Sequence, residues 1–431
     1  MKKQIPLKLF IPEFKGKKIE GFLTFENNNW EIITKNSFSR KFVFEEHKVI
    51  YGQNPESKKK YSFVNCFTRY ASKELYIYVI NEIYEDEWIR TSQEKKYFGA
   101  SIRLTHLELW DINRLIKFIS SNEEKSLYEL KEKIIDSFRV NKTLNLSIIK
   151  HIKWQRDLNK FHCEEVSEIF FENKKKVSRK QILEDAILFK NFFNLFTTTP
   201  IHFKYLNLLN SEKKEIKVDF NFHKTEKEDR FNILIERKEI EADLNNILPK
   251  LYSKKNELNE VIQLFVQSYL LTNMQLSFLS IAKGIELYHK AFKEVNNKIL
   301  LKELATKIKS EFDSFTHKKV NPVWSFNIRL YHLHTILKNF DSYSSNPVFN
   351  IAFIERLYHS RNYYTHLFEK NKYLWDNTEL NNANIHLRIF LRTLILNEIG
   401  VKKEIIEKLI KTEVKRFGHI KDEKNEYSIF K

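Results

Sequence analysis

Glycine is scarce in this sequence, which has only seven among 431 residues. Loops that wrap around the phosphates of a nucleotide need closely spaced glycines, because their backbone amides must approach the phosphate without a side chain in the way. The sequence contains no GxxxxGK(S/T) or GxGxxG loop, and it also lacks the HExxH and GxSxG motifs. These absences argue against a nucleotide-dependent enzyme, a zinc peptidase of the HExxH type and an α/β-hydrolase.

Cysteine is nearly absent as well. Cys66 and Cys163 lie far apart, and neither belongs to a CxxC or Cys/His cluster. The sequence therefore supports neither a disulfide framework nor a structural zinc site. We expect a protein of the reducing cytoplasm that uses no metal and no cofactor.

Long apolar runs are also lacking. No stretch approaches the roughly 18 uninterrupted apolar residues of a membrane span. Pro6, Lys8 and Pro12 interrupt the N-terminal segment where a signal peptide would need its apolar region. The sequence thus predicts a protein that is neither exported nor inserted into a membrane.

Aromatic and basic residues, by contrast, are abundant. The 36 Phe and 19 Tyr residues supply ample apolar surface for folded cores, and 431 residues predict two or three domains. Lys and Arg exceed Asp and Glu by 74 to 56, so the net charge of +18 attracts polyanions such as nucleic acid. A Lys-, Asn- and Ile-rich chain from an AT-rich genome would show the same excess, so charge alone does not decide the partner.

The first hundred residues have the pattern of β-strands. The β-branched and aromatic segments 19–25 and 30–33 flank the turn sequence ENNN, which is typical of a hairpin. The spacing of the other apolar runs indicates a small antiparallel sandwich or barrel, with further strands predicted at 42–44, 61–67, 75–80 and 97–104.

Helical periodicity begins near Leu109. Apolar residues at 115–119 and 127–138 are spaced by threes and fours, and Ser178 with Gln181 forms a capping box before another helical stripe. One more strand is predicted at 216–220. Beyond Leu248 only helical stripes remain, at 257–271, 274–294, 298–314, 322–340, 348–364, 384–399 and 401–416.

These patterns predict an α+β protein of two main regions. Residues 1–247 form a β-rich region with a mixed α/β extension, which divides into two subdomains if a break falls near 108–140. Residues 248–431 form an all-α helical bundle. The β-rich region is assigned a sensing or regulatory role.

The most informative helix is predicted to start at Asn346-Pro347, where an N-cap precedes a proline at the first helical position. Its apolar stripe continues onto Arg361, and an arginine in such a stripe is expected to have an anionic partner. His366 follows near the helix end. An imidazole can transfer a proton near neutral pH and a guanidinium can hold phosphate oxygens, so the pair suits phosphodiester transfer without a metal.

Spacing by itself is weak evidence for this site. His366 could instead complement the helix dipole, and Arg361 could form a structural salt bridge. An arginine and a histidine with four to six residues between them also occur at three other places, Arg40/His47, Arg156/His162 and Arg329/His334.

Four segments together resemble a known family. The sequence SRNYYTH at 360–366 resembles the RNxxxH signature of HEPN domains, in which a polar residue directly follows the arginine. In the three other Arg/His pairs, the residue that follows the arginine is Lys41, Asp157 or Leu330. Segment 275–289 is similar to the helix of Apea-like HEPN proteins that carries an acidic residue. Segments 11–14 and 19–23 are similar to the opening of the domain that precedes HEPN in that family.

The resemblance implies roles for four residues. Arg361 and His366 would be catalytic, Asn362 would position them, and Glu286 would orient the arginine across a helix pair. Glu286 could equally be an ordinary carboxylate at a helix edge, and His289 is expected to be packed or solvent-facing.

The resemblance also implies a function, namely a dimeric ribonuclease of the anti-phage abortive-infection type. The two chains of the homodimer would contact each other through the helical domain. The enzyme would cleave RNA by attack of the ribose 2′-hydroxyl on the phosphodiester, and tRNA is one candidate substrate. The N-terminal region would respond to a phage-derived trigger. The rival hypothesis is a non-catalytic HEPN-like module that binds RNA or a nucleotide.

Overall fold

The computed structural model describes most of the chain, namely residues 4–11, 18–26, 29–36, 38, 46–72, 74–85, 88, 96–111, 116–122, 125–130, 133–157, 160–210, 215–220, 229–366 and 371–417. The chain divides into two compact units. One comprises Met1–Lys190 with Ile201–Arg230, and the other comprises Asn191–Pro200 with Phe231–Lys431. The first unit is rich in strands and the second in helices, so the predicted α+β class is confirmed.

The strands follow in the order β1 Ile5–Phe10, β2 Lys18–Glu26, β3 Asn29–Thr34, β4 Glu46–Gln53, β5 Lys60–Ala71, β6 Tyr76–Glu85, β7 Lys96–Leu104, β8 Ile116–Asn122, β9 Lys125–Leu130, β10 Lys133–Arg139, β11 Leu144–Asp157, β12 Lys160–Ser178, β13 Phe203–Leu209 and β14 Glu215–Phe220. Among the described residues, all of these except β8 and β9 form one antiparallel sheet, in the order β10-β11-β12-β7-β13-β14-β6-β3-β2-β1-β4-β5. The predicted hairpin is the β2–β3 pair, with Phe22 opposite Ile33.

Strands β1 to β6 close into a ring, because β5 pairs with β4 on one side and with β6 on the other. The ring encloses an apolar core that includes Leu9, Phe63 and Tyr78. Cys66 lies in this core, and burial raises the pKa of its thiol far above the usual value, so the thiol stays protonated. The predicted strands at 61–67, 75–80, 97–104 and 216–220 are confirmed as parts of β5, β6, β7 and β14; the one at 42–44 lies outside the described residues.

The helical periodicity assigned to 115–138 is wrong. Strands β8 and β9 form a hairpin there, and β10 lies at the edge of the sheet. The β8–β9 register shifts between Phe118 and Ser120. On the regularly paired strand β10, Ile134 and Phe138 lie four residues apart on one face, because every second residue of a strand shares a face, so their spacing imitates a helical stripe.

The helices are α1 Leu107–Trp110, α2 Arg179–Asn194, α3 Arg237–Ile240, α4 Leu244–Ser253, α5 Lys255–Leu270, α6 Met274–Phe292, α7 Lys298–Glu311, α8 Phe326–Leu337, α9 Asp341–Ser344, α10 Ile351–His366, α11 Asn377–Glu398 and α12 Lys403–Phe417. Each predicted stripe beyond residue 248 corresponds to one of the longer helices from α5 to α12. The predicted division after residue 247 falls within α4. No described helix is long and apolar enough to cross a membrane.

Helix α6 contacts α5, α8, α10 and α11. Gly284 allows its close approach to α11, because a Cβ atom at this position would lie 2.8 Å from the Leu391 Cδ2 atom. The N-terminal end of α10 differs from the prediction. The helix begins at Ile351, and Asn350 caps it by accepting a hydrogen bond from the Phe353 amide at 2.9 Å, whereas Asn346 accepts one from Val348 in the preceding turn.

A buried ion pair joins α11 to α12. The Arg392 side chain is fully buried, and its guanidinium pairs with the carboxylate of Glu413, of which only 4% is exposed. The same guanidinium donates to the Thr197 carbonyl and to the Tyr269 hydroxyl, both at 2.7 Å. Arg392 therefore ties the segment 191–200 and α5 to the C-terminal helices of this unit.

Removing either member of this pair should destabilise the helical unit, because the remaining charge would be buried without its partner. We expect Arg392→Met and Glu413→Leu each to lower the free energy of unfolding by about 3–5 kcal/mol. The double variant should lose clearly less than the sum of the two. Urea unfolding followed by tryptophan fluorescence measures all four proteins, and strictly additive losses would contradict the coupling.

Candidate active site

The site is organised around a carboxylate on α6. Asn273 caps this helix by accepting hydrogen bonds from the amides of Gln275 and Leu276 at 2.9 and 3.0 Å. Phe278, Ile281 and Ile285 are buried along one face of the helix, and Glu286 lies at the edge of that face with 15% of its side chain exposed. The helix thus positions the carboxylate at the border between the core and the surface of this unit.

Glu286 pairs with Arg361 of α10. The Arg361 Nη2 atom lies 3.0 Å from Glu286 Oε2, and 23% of the arginine side chain is exposed. Arg361 Nη1 donates to Asn362 Oδ1 at 3.1 Å, and the guanidinium lies over the Phe326 ring at 4.8 Å from its centroid. Three neighbours therefore restrict the guanidinium: a carboxylate, an amide and an aromatic ring.

Two further cations share the same carboxylate. Lys290 Nζ lies 2.9 Å and Arg329 Nη1 3.4 Å from Glu286 Oε1, and Arg329 also pairs with Glu294 at 3.1 Å. Burial alone would raise the pKa of Glu286, but the hydrogen bond from Lys290 and the charges of Lys290, Arg361 and Arg329 outweigh it and lower the pKa. Glu286 is therefore ionised at neutral pH.

The residues on either side of Arg361 fix the end of α10. Ser360 accepts a hydrogen bond from the Trp375 amide at 3.1 Å, and the Tyr364 hydroxyl donates to the Trp375 carbonyl, also at 3.1 Å. Trp375 itself is buried. Ser360 and Tyr364 of the SRNYYTH motif therefore attach the C-terminal end of α10 to the backbone of Trp375, while Arg361 of the same motif contacts α6.

His366 is the last residue of α10 and is exposed. Five helical residues correspond to a rotation of about 140° beyond one full turn, so Arg361 and His366 leave the helix in different directions. The helix is predicted to end near His366, and the described part of α10 extends to that residue. Thr365, one residue earlier, shares the Arg361 side of the helix.

A pocket of about 290 Å³ opens beside the Glu286–Arg361 pair. Its lining combines cationic, acidic, apolar and hydroxyl groups, contributed by Leu279, Lys283, Glu286, Leu287, Lys290, Arg361 and Thr365. A concave surface with a few polar groups at one end is the usual form of a small binding site.

Sequence reasoning missed Arg329 and Lys290. The pair of Glu286 with Lys290 could have been predicted from the sequence, since the two residues are four apart on one helix. Arg329 was treated only as an accidental pair with His334, and no spacing connects α8 to Glu286. His334 is buried and hydrogen-bonded to the Tyr343 hydroxyl at 2.9 Å, and burial lowers its pKa to about 4.

His289 does not lie on an open surface. It is fully buried and hydrogen-bonded to His332 at 3.0 Å, and burial lowers its pKa to about 3, so it is neutral and packed. Within the described part of the chain, no group of three or more His, Cys, Asp or Glu side chains is placed to hold a metal ion.

Comparison with known proteins gives two family matches. Residues 8–251, more than half of the chain, match the family model of ApeA N-terminal domain 1. Residues 279–405 match the Apea-like HEPN model, and this range contains Glu286, Arg361, Asn362 and His366. No curated protein and no solved structure gives a significant match. With both models matched in sequence order, the chain belongs to the ApeA family of HEPN proteins.

Proposed function

We propose that this protein is a metal-independent endoribonuclease that acts in anti-phage abortive infection. The observation that carries the proposal is a guanidinium, Arg361, fixed by Glu286 and Asn362 at the wall of a cationic pocket, with the exposed imidazole of His366 at the end of the same helix. The family supports the HEPN class and a defence role. The reaction and the residues that carry it are our proposal.

The chemistry follows from the two side chains. His366 takes the proton of a ribose 2′-hydroxyl, and the 2′-oxygen attacks the adjacent phosphorus atom. The bond to the 5′-oxygen breaks, and that oxygen receives a proton from an acid. The products are a 2′,3′-cyclic phosphate and a 5′-hydroxyl. Arg361 binds the non-bridging oxygens of the phosphate as negative charge develops on them, and Glu286 and Asn362 keep the Arg361 guanidinium in position.

The reaction needs a base and an acid, whereas one Arg361/His366 pair contains one imidazole. A second copy of the chain, related by a two-fold axis through the helical domain, would supply the other imidazole. The divergence of Arg361 and His366 on α10 favours the same arrangement, because the histidine of one chain can then approach the arginine of its partner. We therefore propose a homodimer whose chains share the site.

The proposed substrate is RNA, and tRNA is one candidate. We further propose that the β-rich unit senses a phage-derived trigger and regulates the helical unit. The alternative is a HEPN-like module that binds RNA or a nucleotide without cleaving it. Binding alone does not require an exposed imidazole at the end of the helix that carries the anion-binding arginine, so the presence of His366 favours the enzyme.

Replacement of His366 by alanine should abolish cleavage without unfolding the protein. We expect the rate to fall at least about 100-fold, because general acid–base catalysis contributes that much. The free energy of unfolding should change by less than about 0.5 kcal/mol, since the side chain is exposed. His317→Ala, at another exposed histidine, is the matched control and should keep full activity; an active His366→Ala protein would refute the mechanism.

Replacement of Arg361 by lysine keeps the positive charge but removes the planar guanidinium and its paired N–H donors. An ammonium cannot contact Glu286, Asn362 and phosphate together, so we expect a loss of about 100-fold or more in kcat. The measurement is single-turnover cleavage of RNA, with the thermal unfolding midpoint as the control for folding. Activity close to wild type in this variant would show that charge alone suffices.

Mixed dimers test whether the site is shared. In an equimolar mixture of wild-type and His366→Ala chains, half of the dimers are mixed, and each mixed dimer has only one of the two imidazoles that the reaction needs. The activity should therefore fall to about a quarter of that of the same amount of wild-type protein, whereas chains that act independently would keep about half. A mixture that keeps half of the activity, or a monomer that cleaves at the full rate on dilution, would contradict the shared site.

A further inference from the structure

The pocket beside Arg361 has a distinctive distribution of charge. Its lining contains three cations, Lys283, Lys290 and Arg361, and one carboxylate, Glu286. Three positive charges against one negative charge leave an excess of positive charge at the pocket, although Glu286 forms ion pairs with Lys290 and Arg361. An anion can therefore be attracted to the pocket without displacing Glu286 from Arg361.

Lys283 is the side chain best placed to receive that anion. It is exposed on α6 and lines the pocket, and it forms no ion pair or hydrogen bond with any residue that the structure describes. Lys290 lines the same pocket one turn beyond Glu286 and has 46% of its side chain exposed. The two lysines thus lie on either side of the Glu286 carboxylate along one helix face.

The remaining lining suits the rest of a nucleotide. Leu279 and Leu287 are half-buried and supply an apolar wall, and Thr365 supplies a hydroxyl group. A volume of about 290 Å³ is at the lower end for sites that hold a small organic molecule. It offers room for one splayed-out nucleotide but not for a duplex, which proteins contact across an open groove.

We propose that this pocket is a subsite for the nucleotide next to the cleaved phosphodiester, and that the substrate is bound as single-stranded RNA. Lys283 holds the phosphate of that nucleotide and Lys290 assists it, while Leu279 and Leu287 contact its apolar faces. Neither lysine contacts the reacting atoms, so both act in binding. The inference rests on the proposed function for the identity of the polyanion, whereas the pocket and its charges do not depend on catalysis.

The salt dependence of binding measures the contact directly. For a single strand, the slope of log affinity against log salt concentration changes by about 0.7 for each phosphate that a cationic side chain neutralises. The probe is a fluorescent single-stranded oligouridylate of about 12 nucleotides, bound by full-length protein carrying His366→Ala so that it is not cut. Lys283→Ala should reduce the slope by about 0.7, and Lys283→Arg should restore it.

Lys302→Ala is the matched control, because Lys302 is an exposed lysine on α7 that does not line the pocket. It should leave the slope unchanged. In the otherwise wild-type enzyme, Lys283→Ala should raise KM for the oligonucleotide about tenfold with little effect on kcat, as expected for a lost contact made equally in ground and transition states.

Two results would overturn the subsite: an unchanged slope in Lys283→Ala, or equal losses in Lys283→Ala and Lys302→Ala. Tighter binding of a duplex RNA of the same length would overturn the single-strand assignment. If the wild-type protein binds the oligonucleotide but never cleaves RNA, the proposed function fails, and the slope of the Lys283→Ala protein still decides whether the pocket is an RNA subsite.

Discussion

The position of Arg361 depends on the carboxylate of Glu286. A long cationic side chain near a helix end would otherwise sample many rotamers, and its ordering has an entropic cost. The 3.0 Å pair across α6 and α10, together with the Asn362 amide and the Phe326 ring, confines it to one direction at the pocket wall. The packing of the helical unit positions the Glu286–Arg361 pair, because α6 contacts both α8 and α10.

The same contact sets the electrostatics of the site. Since three cations share Glu286, its pKa is lowered and the carboxylate stays charged under the conditions in which RNA would bind. Glu286 and Glu294 together do not neutralise Lys290, Arg361 and Arg329, and Lys283 adds a further positive charge to the pocket, so the pocket keeps its attraction for phosphate. Glu286 thus orders the arginine without cancelling the charge that the proposed chemistry needs.

Much of the fold could be predicted from sequence, because its elements have strong local signals. The β2–β3 hairpin is marked by a polar turn between β-branched runs, and the helices of the second unit by long apolar stripes. The segment 115–138 could not be predicted, since residues four apart share a face on a strand as well as on a helix, as Ile134 and Phe138 do on β10. The start of α10 was misplaced because Asn346 and Asn350 are both good caps, and only tertiary packing selects between them.

The site was predictable only in part. Arg361, Asn362 and His366 are adjacent in one motif, and Glu286 was found through the resemblance of its helix to the family. Arg329 reaches Glu286 from α8, 43 residues away in sequence, and neither periodicity nor spacing records such a contact. Lys283 can be identified only from the pocket that it lines, because no sequence pattern distinguishes it from the other exposed lysines on helices.

The chemistry of the RNA ends tests the central claim most directly. Purified protein should be incubated with total cellular RNA in excess EDTA, and the new ends should be identified by sequencing that distinguishes phosphorylated from hydroxyl termini. Attack by the 2′-hydroxyl predicts cleavage that persists in the chelator and leaves 2′,3′-cyclic phosphate and 5′-hydroxyl ends. Cleavage that requires added Mg²⁺ or Mn²⁺, or that leaves 3′-hydroxyl and 5′-phosphate ends, would contradict it.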